Sequence, residues 1–174
     1  MGGGASAAQG GARAGLVAGG EARTLLAGPL GADLLAGAAQ TGGAVSFLVH
    51  PLAPRTLGSP MHTHTQEDEW LYVLEGEVGV RLGDRTVTAR RGDLVLKPRH
   101  VPHAFWNATG EPARILEVIT PAGFEGYFAR LGELLGGGVR PDFAEIATLP
   151  GAYGMEVDAA SIPALMAEHD LRLP

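Results

Sequence analysis

Short segments in which apolar and polar residues alternate run through the first two thirds of the chain, and glycine and proline separate them. Alternation with a period of two is typical of β-strands that bury one face, and turn residues between closely spaced segments indicate antiparallel connections. The predicted strands cover residues 24–26, 33–36, 44–50, 69–74, 77–82, 85–89, 93–97, 103–107 and 113–120. This pattern predicts an all-β sandwich or barrel.

The period changes after Thr120, and the Thr120-Pro121 pair is interpreted as a helix start. Apolar residues then recur at three- and four-residue spacing, which predicts an amphipathic helix that glycines 136–138 end. The apolar stripe consists of Phe124, Tyr127, Phe128, Leu131 and Leu135. Two shorter helices are predicted over residues 142–148 and 161–168.

The length of 174 residues suits one domain of ordinary size. We divide it into a flexible tail (1–20), a β-barrel (21–121) and a helical C-terminal extension packed on the barrel (122–174). The tail lacks the cationic start and the sustained apolar segment of a signal peptide, so we expect a cytoplasmic protein. No run of about eighteen apolar residues is present, and no membrane partner is expected.

Charge and cysteine content narrow the possible chemistry. The net charge of -6 and the charged fraction of 18% provide no basic surface, so nucleic acid is not an expected partner. The chain has no cysteine, which excludes disulfides, thiolate metal sites and thiol nucleophiles. A metal would have to be held by nitrogen and oxygen ligands.

Such ligands occur in two patches. His62 and His64 lie two residues apart on an extended segment, so their imidazoles face the same side. Glu69 begins the next strand on the face shared by Leu71 and Val73, where a carboxylate needs a partner. His103 begins a later strand, and three imidazoles with one carboxylate leave a six-coordinate metal roughly two open positions.

The two patches resemble the paired motifs of the cupin superfamily. His62, His64, Glu69 and Gly76 match the first motif, which consists of glycine, five residues, His-x-His, three or four residues, glutamate, six residues and glycine. The second motif, glycine, five residues, Pro-x-Gly, two residues, histidine, three residues and asparagine, is matched by Gly92, Pro98, His103 and Asn107. Each motif has one departure. In the first motif Thr56 replaces the initial glycine, which predicts a different path for the loop into His62. In the second motif His100 replaces the glycine of Pro-x-Gly.

The resemblance implies a cupin barrel (double-stranded β-helix, or jelly roll) with a C-terminal helical extension, similar to the small single-domain bacterial cupins of the quercetin 2,3-dioxygenase-like group. It implies one divalent transition metal, Fe, Mn, Ni, Co, Cu or Zn, bound by His62, His64, Glu69 and His103. The expected function is a dioxygenase that acts on dioxygen and a small aromatic or diketone-like substrate, with Glu69 as catalytic base. A non-redox isomerase, cyclase or decarboxylase, a small-molecule binding module and a metal-free barrel with a polar cluster remain open.

The neighbours of the predicted ligands receive assignments from alternation and position. Met61, Leu71, Val73 and Phe105 are expected to form the substrate pocket. His100 is expected either at the mouth of this pocket or in an exposed turn, and Glu67 and Asp68 in a solvated acidic turn. His50 is expected to have a surface or packing role. Trp70, Tyr72 and Trp106 are predicted on the opposite face, against the helical tail or a partner subunit. Edge strands and exposed aromatic residues favour a homodimer.

Overall fold

A computed structural model of the protein describes residue 12 and residues 14–136 and 141–174. The predicted flexible tail lies mostly outside these residues, as do two of the three glycines expected to end the long helix. The described chain contains a 3₁₀ turn (Gly19–Glu21), eleven strands and four α-helices. The strands are β1 (Arg23–Leu26), β2 (Ala32–Ala36), β3 (Ser46–Leu52), β4 (Thr56–His64), β5 (Asp68–Glu75), β6 (Glu77–Leu82), β7 (Arg85–Arg90), β8 (Leu94–Lys97), β9 (His103–Asn107), β10 (Ala113–Thr120) and β11 (Met155–Asp158). The helices are α1 (Ala38–Thr41), α2 (Glu125–Gly136), α3 (Phe143–Ala152) and α4 (Ser161–His169).

The strands form two antiparallel sheets. The larger sheet has the order β1-β2-β3-β10-β5-β8, and the smaller has the order β11-β4-β9-β6-β7. Side chains alternate between the inner and the outer face, and the inner faces bury Leu48, Leu71, Val73, Val80 and Ile115 in one continuous core. The all-β fold class predicted from the sequence is thereby confirmed.

The C-terminal helices pack at two places. Helix α2 contacts β1 at the edge of the larger sheet. Helix α4 covers the outer face of the smaller sheet, where Leu165 packs with Leu57 and Trp106, and the Trp106 indole stacks on the His169 ring at 4.3 Å between centroids. Trp106 therefore contacts the helical tail, as expected from its position on the face opposite the ligands. No helix in the described part of the chain is long and apolar enough to cross a membrane.

Three local expectations are corrected. Thr120 ends β10 rather than starting a helix, and α2 begins five residues later at Glu125. Thr56 begins β4 and is buried, so the approach to His62 is a strand with two register irregularities against β9 rather than a rerouted loop. The strand β11 was not predicted, because its four residues become a strand only by pairing with the distant β4.

Candidate metal centre

Three strands bring the predicted ligands together at one end of the barrel. β4 carries His62 and His64, and its neighbour β9 carries His103 as the register partner of His62. Glu69 comes from β5 in the opposite sheet. All four side chains are buried, and one possible ligand atom from each lies within 4.8 Å of the others. The group could therefore hold a metal ion.

Hydrogen bonds fix the orientation of the imidazole rings. The Nδ1 atom of His62 lies 2.9 Å from the carbonyl oxygen of Pro60, and that of His103 lies 2.8 Å from the carbonyl oxygen of Val101. A ring nitrogen at this distance from a carbonyl donates its proton, which leaves the lone pair on Nε2. Both rings thus have the tautomer that a metal ligand needs.

His64 lies beside a carboxylate. Its Nδ1 atom lies 3.4 Å from Oε2 of Glu67, which is buried rather than part of a solvated turn. Asp68, next to it, is partly exposed and pairs with Arg99 at 2.8 Å. The expectation of a solvated acidic turn is therefore corrected for Glu67. The His64–Glu67 contact lacks hydrogen-bond geometry, since neither ring nitrogen of His64 has a hydrogen-bond partner among the described residues.

Glu69 lies at the centre of the group. Its Oε1 atom is 3.3 Å from Nε2 of His64, and its Oε2 atom is 3.1 Å from Nε2 of His103 and 2.8 Å from Nζ of Lys97. Two imidazole nitrogens thus point at one carboxylate. Three imidazoles and a carboxylate fit a divalent transition metal.

The protonation states suit metal binding. Burial lowers the pKa of His62 well below its ordinary value and that of His64 to about 4, so both rings are neutral at neutral pH. Burial raises the pKa of Glu69, but the Lys97 ammonium and the two nearby histidines outweigh it and hold that pKa well below its ordinary range. A neutral imidazole and an ionised carboxylate are the forms that bind metals.

A cavity of about 190 Å³ adjoins these side chains. Most of its wall is apolar and comes from the inner face of the barrel, from α2 and from β11. These wall residues are Leu30, Phe105, Phe124, Tyr127, Phe128, Leu131 and Met155. The predicted ligands His62, His64 and Glu69 line it as well. A pocket of this kind suits a small ligand with an apolar body.

Only one of the five predicted pocket residues lines this cavity, namely Phe105. Leu71 and Val73 are fully buried in the core. They lie two and four residues beyond Glu69 on β5, and thus further from the end of the barrel at which the candidate metal centre lies. Met61 packs against the cluster under α4. His100 is exposed in a turn, where its φ of 66° is the left-handed conformation for which the motif uses glycine, and its N–H donates to the carbonyl of His64. None of these four residues lines the cavity.

Three ionisable residues of the cavity wall were missed as site residues: His50, Lys97 and Glu117. Lys97 and Glu117 could have been found, because alternation on β8 and β10 places both on the inner faces of their strands, where a charge requires a partner. His50 was assigned to the surface or to packing. It is buried, its Nδ1–H donates to the carbonyl of Gly31 at 2.7 Å, and its ring lies 4.9 Å from that of Phe128.

Two antiparallel sheets that enclose a histidine and glutamate cluster define a β-barrel protein with a possible internal metal site. A family model described as a cupin domain matches residues 48–119, which include all four cluster residues. Residues 48–119 thus form a cupin domain. No curated protein sequence matches it.

Several solved structures are similar. KdgF from a Halomonas species is 14% identical, with a TM-score of 0.57, over 64% of this chain and 96% of that chain. Oxalate decarboxylase from Bacillus subtilis, a protein with Mn(II) centers, is 18% identical, with a TM-score of 0.52. The match covers 59% of this chain and 29% of that chain. TT1209 from Thermus thermophilus is 30% identical over 45% of this chain and 74% of that chain, with a TM-score of 0.43. The first two similarities support the fold alone.

Proposed function

We propose that the protein is a metal-dependent cupin enzyme that oxidises a small aromatic or diketone-like substrate with dioxygen, as in the quercetin 2,3-dioxygenase-like group. The observation that carries this proposal is the position of three of the four donor side chains on the wall of a mostly apolar cavity. An open metal position beside an apolar surface suits a substrate that presents oxygen atoms from an apolar body.

His62, His64, Glu69 and His103 would hold Fe, Mn, Ni, Co, Cu or Zn. When bound, such a metal polarises substrate oxygen atoms and, if it is redox active, exchanges electrons with substrate and dioxygen. The aromatic side chains of α2 and the Phe105 ring bind the apolar part of the substrate and exclude water from it.

The catalytic role expected for Glu69 is not part of this proposal. A general base must be free to approach the substrate hydroxyl. Both carboxylate oxygens of Glu69 already face partners, His64 at one oxygen and His103 and Lys97 at the other. Leaving the metal would separate the buried Lys97 ammonium from one of its two carboxylates, which is energetically costly. Glu69 is therefore proposed as a ligand.

Oxygen uptake tests the reaction. Protein loaded separately with Fe(II), Mn(II), Ni(II), Co(II) and Cu(II) should consume dioxygen with at least one flavonol or 1,3-diketone, and His103→Ala should not. The absence of uptake above the His103→Ala background with every metal and both substrate classes would contradict a dioxygenase.

A non-redox metal enzyme, such as an isomerase, cyclase or decarboxylase, is the second candidate. The observation in its favour is the presence of two further ionisable side chains in the cavity wall, Lys97 and Glu117, since these reactions move protons. Turnover with Zn(II) under anaerobic conditions would favour this reaction class. Recovery of every ligand unchanged would instead favour a binding module.

A cytoplasmic homodimer is the proposed assembly. Leu94 and Leu96 on the edge strand β8 and Tyr72 on its neighbour β5 are exposed on the outer face of the larger sheet. A second copy of the chain would remove these apolar side chains from water. Light scattering on the purified protein should give twice the chain mass, and a monomer at micromolar concentration would contradict it.

A further inference from the structure

A buried chain of three ionisable side chains runs from the metal centre into the cavity wall. The Nζ atom of Lys97 donates to Oε2 of Glu69 at 2.8 Å and to Oε2 of Glu117 at 3.0 Å. All three side chains are at least 95% buried. Because Glu69 is a predicted ligand, Glu117 is separated from the metal centre by a single ammonium group.

The two carboxyl oxygen atoms of Glu117 differ in their hydrogen bonding. Oε2 accepts the hydrogen bond from Lys97, whereas the buried Oε1 has no partner among the residues that the structure describes. A buried polar oxygen without a hydrogen bond costs about 1–3 kcal/mol, so folded proteins rarely leave one unpaired. Glu117 is part of the cavity wall, and a ligand in the cavity can supply the missing partner.

A purely structural ion pair does not account for this arrangement. Lys97 could be neutralised by Glu69 alone, and the second carboxylate adds a further desolvation cost. The cavity wall as a whole is mostly apolar, so the Glu117 carboxyl is one of its few polar groups. Ligand pockets use a few such groups to fix orientation and specificity.

We infer that Glu117 is a substrate-binding residue that hydrogen-bonds a second oxygen function of the substrate while a first oxygen function lies at the metal centre. Lys97 is the positioning residue that holds Glu117 beside Glu69. The substrate class is thereby narrowed to small molecules with two neighbouring oxygen functions on an apolar, ring-sized body. The inference rests on the proposed metal-dependent function, which it deepens.

The protonation state of Glu117 depends on the metal centre, and either state can form the hydrogen bond. Burial raises its pKa to about 8, with Lys97 opposing the shift and Glu69 adding to it. At neutral pH the carboxyl can therefore carry a proton and donate to a substrate oxygen. A divalent cation in the metal centre lowers this pKa, and the ionised carboxylate then accepts from a substrate hydroxyl.

The test is a cycle of two proteins and two probes. Wild type and Glu117→Gln are loaded with redox-inert Zn(II), and the affinities for 4-nitrocatechol and 4-nitrophenol are measured by absorbance. The ratio of the 4-nitrocatechol affinity to the 4-nitrophenol affinity should be at least tenfold larger in wild type than in Glu117→Gln, because only wild type has the Glu117 carboxyl to bind the second hydroxyl. The contribution of Zn(II) is common to both proteins and cancels in the comparison. Glu111→Gln, the same change at an exposed residue, should behave as wild type.

Folding of the variant is controlled separately. If Glu117→Gln does not fold, the double variant Lys97→Met, Glu117→Met replaces the buried pair by apolar side chains of similar size, and it should lose the same tenfold preference. Equal preferences in wild type and the folded variant, with Zn(II) bound to both, would overturn this inference and leave the metal-dependent function standing. Failure of wild type to bind Zn(II) or any other divalent metal would overturn both.

Discussion

At the scale of single residues, each histidine of the candidate metal centre directs its Nδ1 atom toward an oxygen atom. For His62 and His103 that atom is a backbone carbonyl oxygen, which substitution cannot remove. For His64 it is Oε2 of Glu67 at 3.4 Å. Glu67 is therefore the side chain through which the surroundings of a predicted ligand can be altered without touching the ligand itself.

We predict that Glu67→Ala weakens metal affinity about 10- to 100-fold, because His64 loses the negatively charged carboxylate beside its Nδ1 atom. Competition with a chromophoric chelator measures the Zn(II) affinity. Glu75→Ala is the matched control, since Glu75 pairs with Arg114 at an exposed position. Equal affinities for wild type and Glu67→Ala would show that Glu67 does not support metal binding by His64.

Stability should depend on pH through His50. Burial lowers the pKa of His50 from 6.5 to about 4. Between these two pH values His50 binds a proton in the unfolded chain but not in the folded chain, so a fall in pH favours unfolding. Well above pH 6.5 His50 is unprotonated in both states, and its contribution to stability no longer changes with pH. Over this interval His50 should cost about 3 kcal/mol of stability.

Urea unfolding of metal-free wild type and His50→Gln at pH 7 and pH 4.5 measures this dependence. The glutamine side chain cannot be protonated but can still donate to the Gly31 carbonyl, so the variant should lose less stability on acidification. The other histidines are common to both proteins and cancel in the comparison. The same pH dependence in both proteins would contradict a buried neutral His50.

The sequence could predict which side chains meet at the candidate metal centre but not their surroundings. Motif spacing and alternation identify His62, His64, Glu69 and His103, which depend only on local strand geometry. The contacts of Glu67 and His50 depend on how distant segments pack, and no local pattern encodes them. Phe105 lines the cavity as expected. Leu71 and Val73 lie on the inner face of β5, as alternation predicts, but they are buried in the core rather than at the cavity.

At the scale of elements, the best-predicted strands are those with a neighbouring strand on each edge. The limits of β6, β9 and β10 agree residue by residue with the alternating pattern, and each of these strands is paired on both edges. β11 escaped prediction because it forms by pairing with β4 across the chain. The start of α2 was misplaced because Thr120 satisfies helix-start rules but is held in β10 by pairing with Asp68.

Helix α2 depends on a close approach to β1 at Gly132. A Cβ atom at this position would overlap the carbonyl oxygen of Leu25, a backbone atom that cannot easily move. We predict that Gly132→Ala destabilises the protein by about 1–3 kcal/mol, because overpacking outweighs the helix propensity gained from alanine. The chemical change is the smallest available, so the effect reports the packing of α2 alone.

Gly136→Ala is the matched control for that substitution, because a Cβ atom there meets open space at the end of the same helix. It should leave stability unchanged or raise it by up to about 1 kcal/mol. The free energy of unfolding in urea measures both variants. Equal effects of the two substitutions would contradict the contact between α2 and β1.

At the scale of the whole molecule, the barrel supplies the candidate metal centre, and the C-terminal segment supplies much of the cavity wall. Phe124, Tyr127, Phe128 and Leu131 lie at or on α2, and Met155 lies on β11. The residues proposed to discriminate between substrates thus lie in part beyond residue 119, where the cupin family model ends. This division explains why a shared barrel fold does not define the reaction.

The metal content of the protein tests the central claim most directly. Wild type purified without chelator is predicted to contain about one divalent transition metal per chain, measured by elemental analysis. His62→Ala should lose most of it while its circular dichroism stays native, because the core does not depend on one ligand. His100→Ala, the same change at an exposed histidine, should retain it. Equal metal content in His62→Ala and wild type would contradict the assignment.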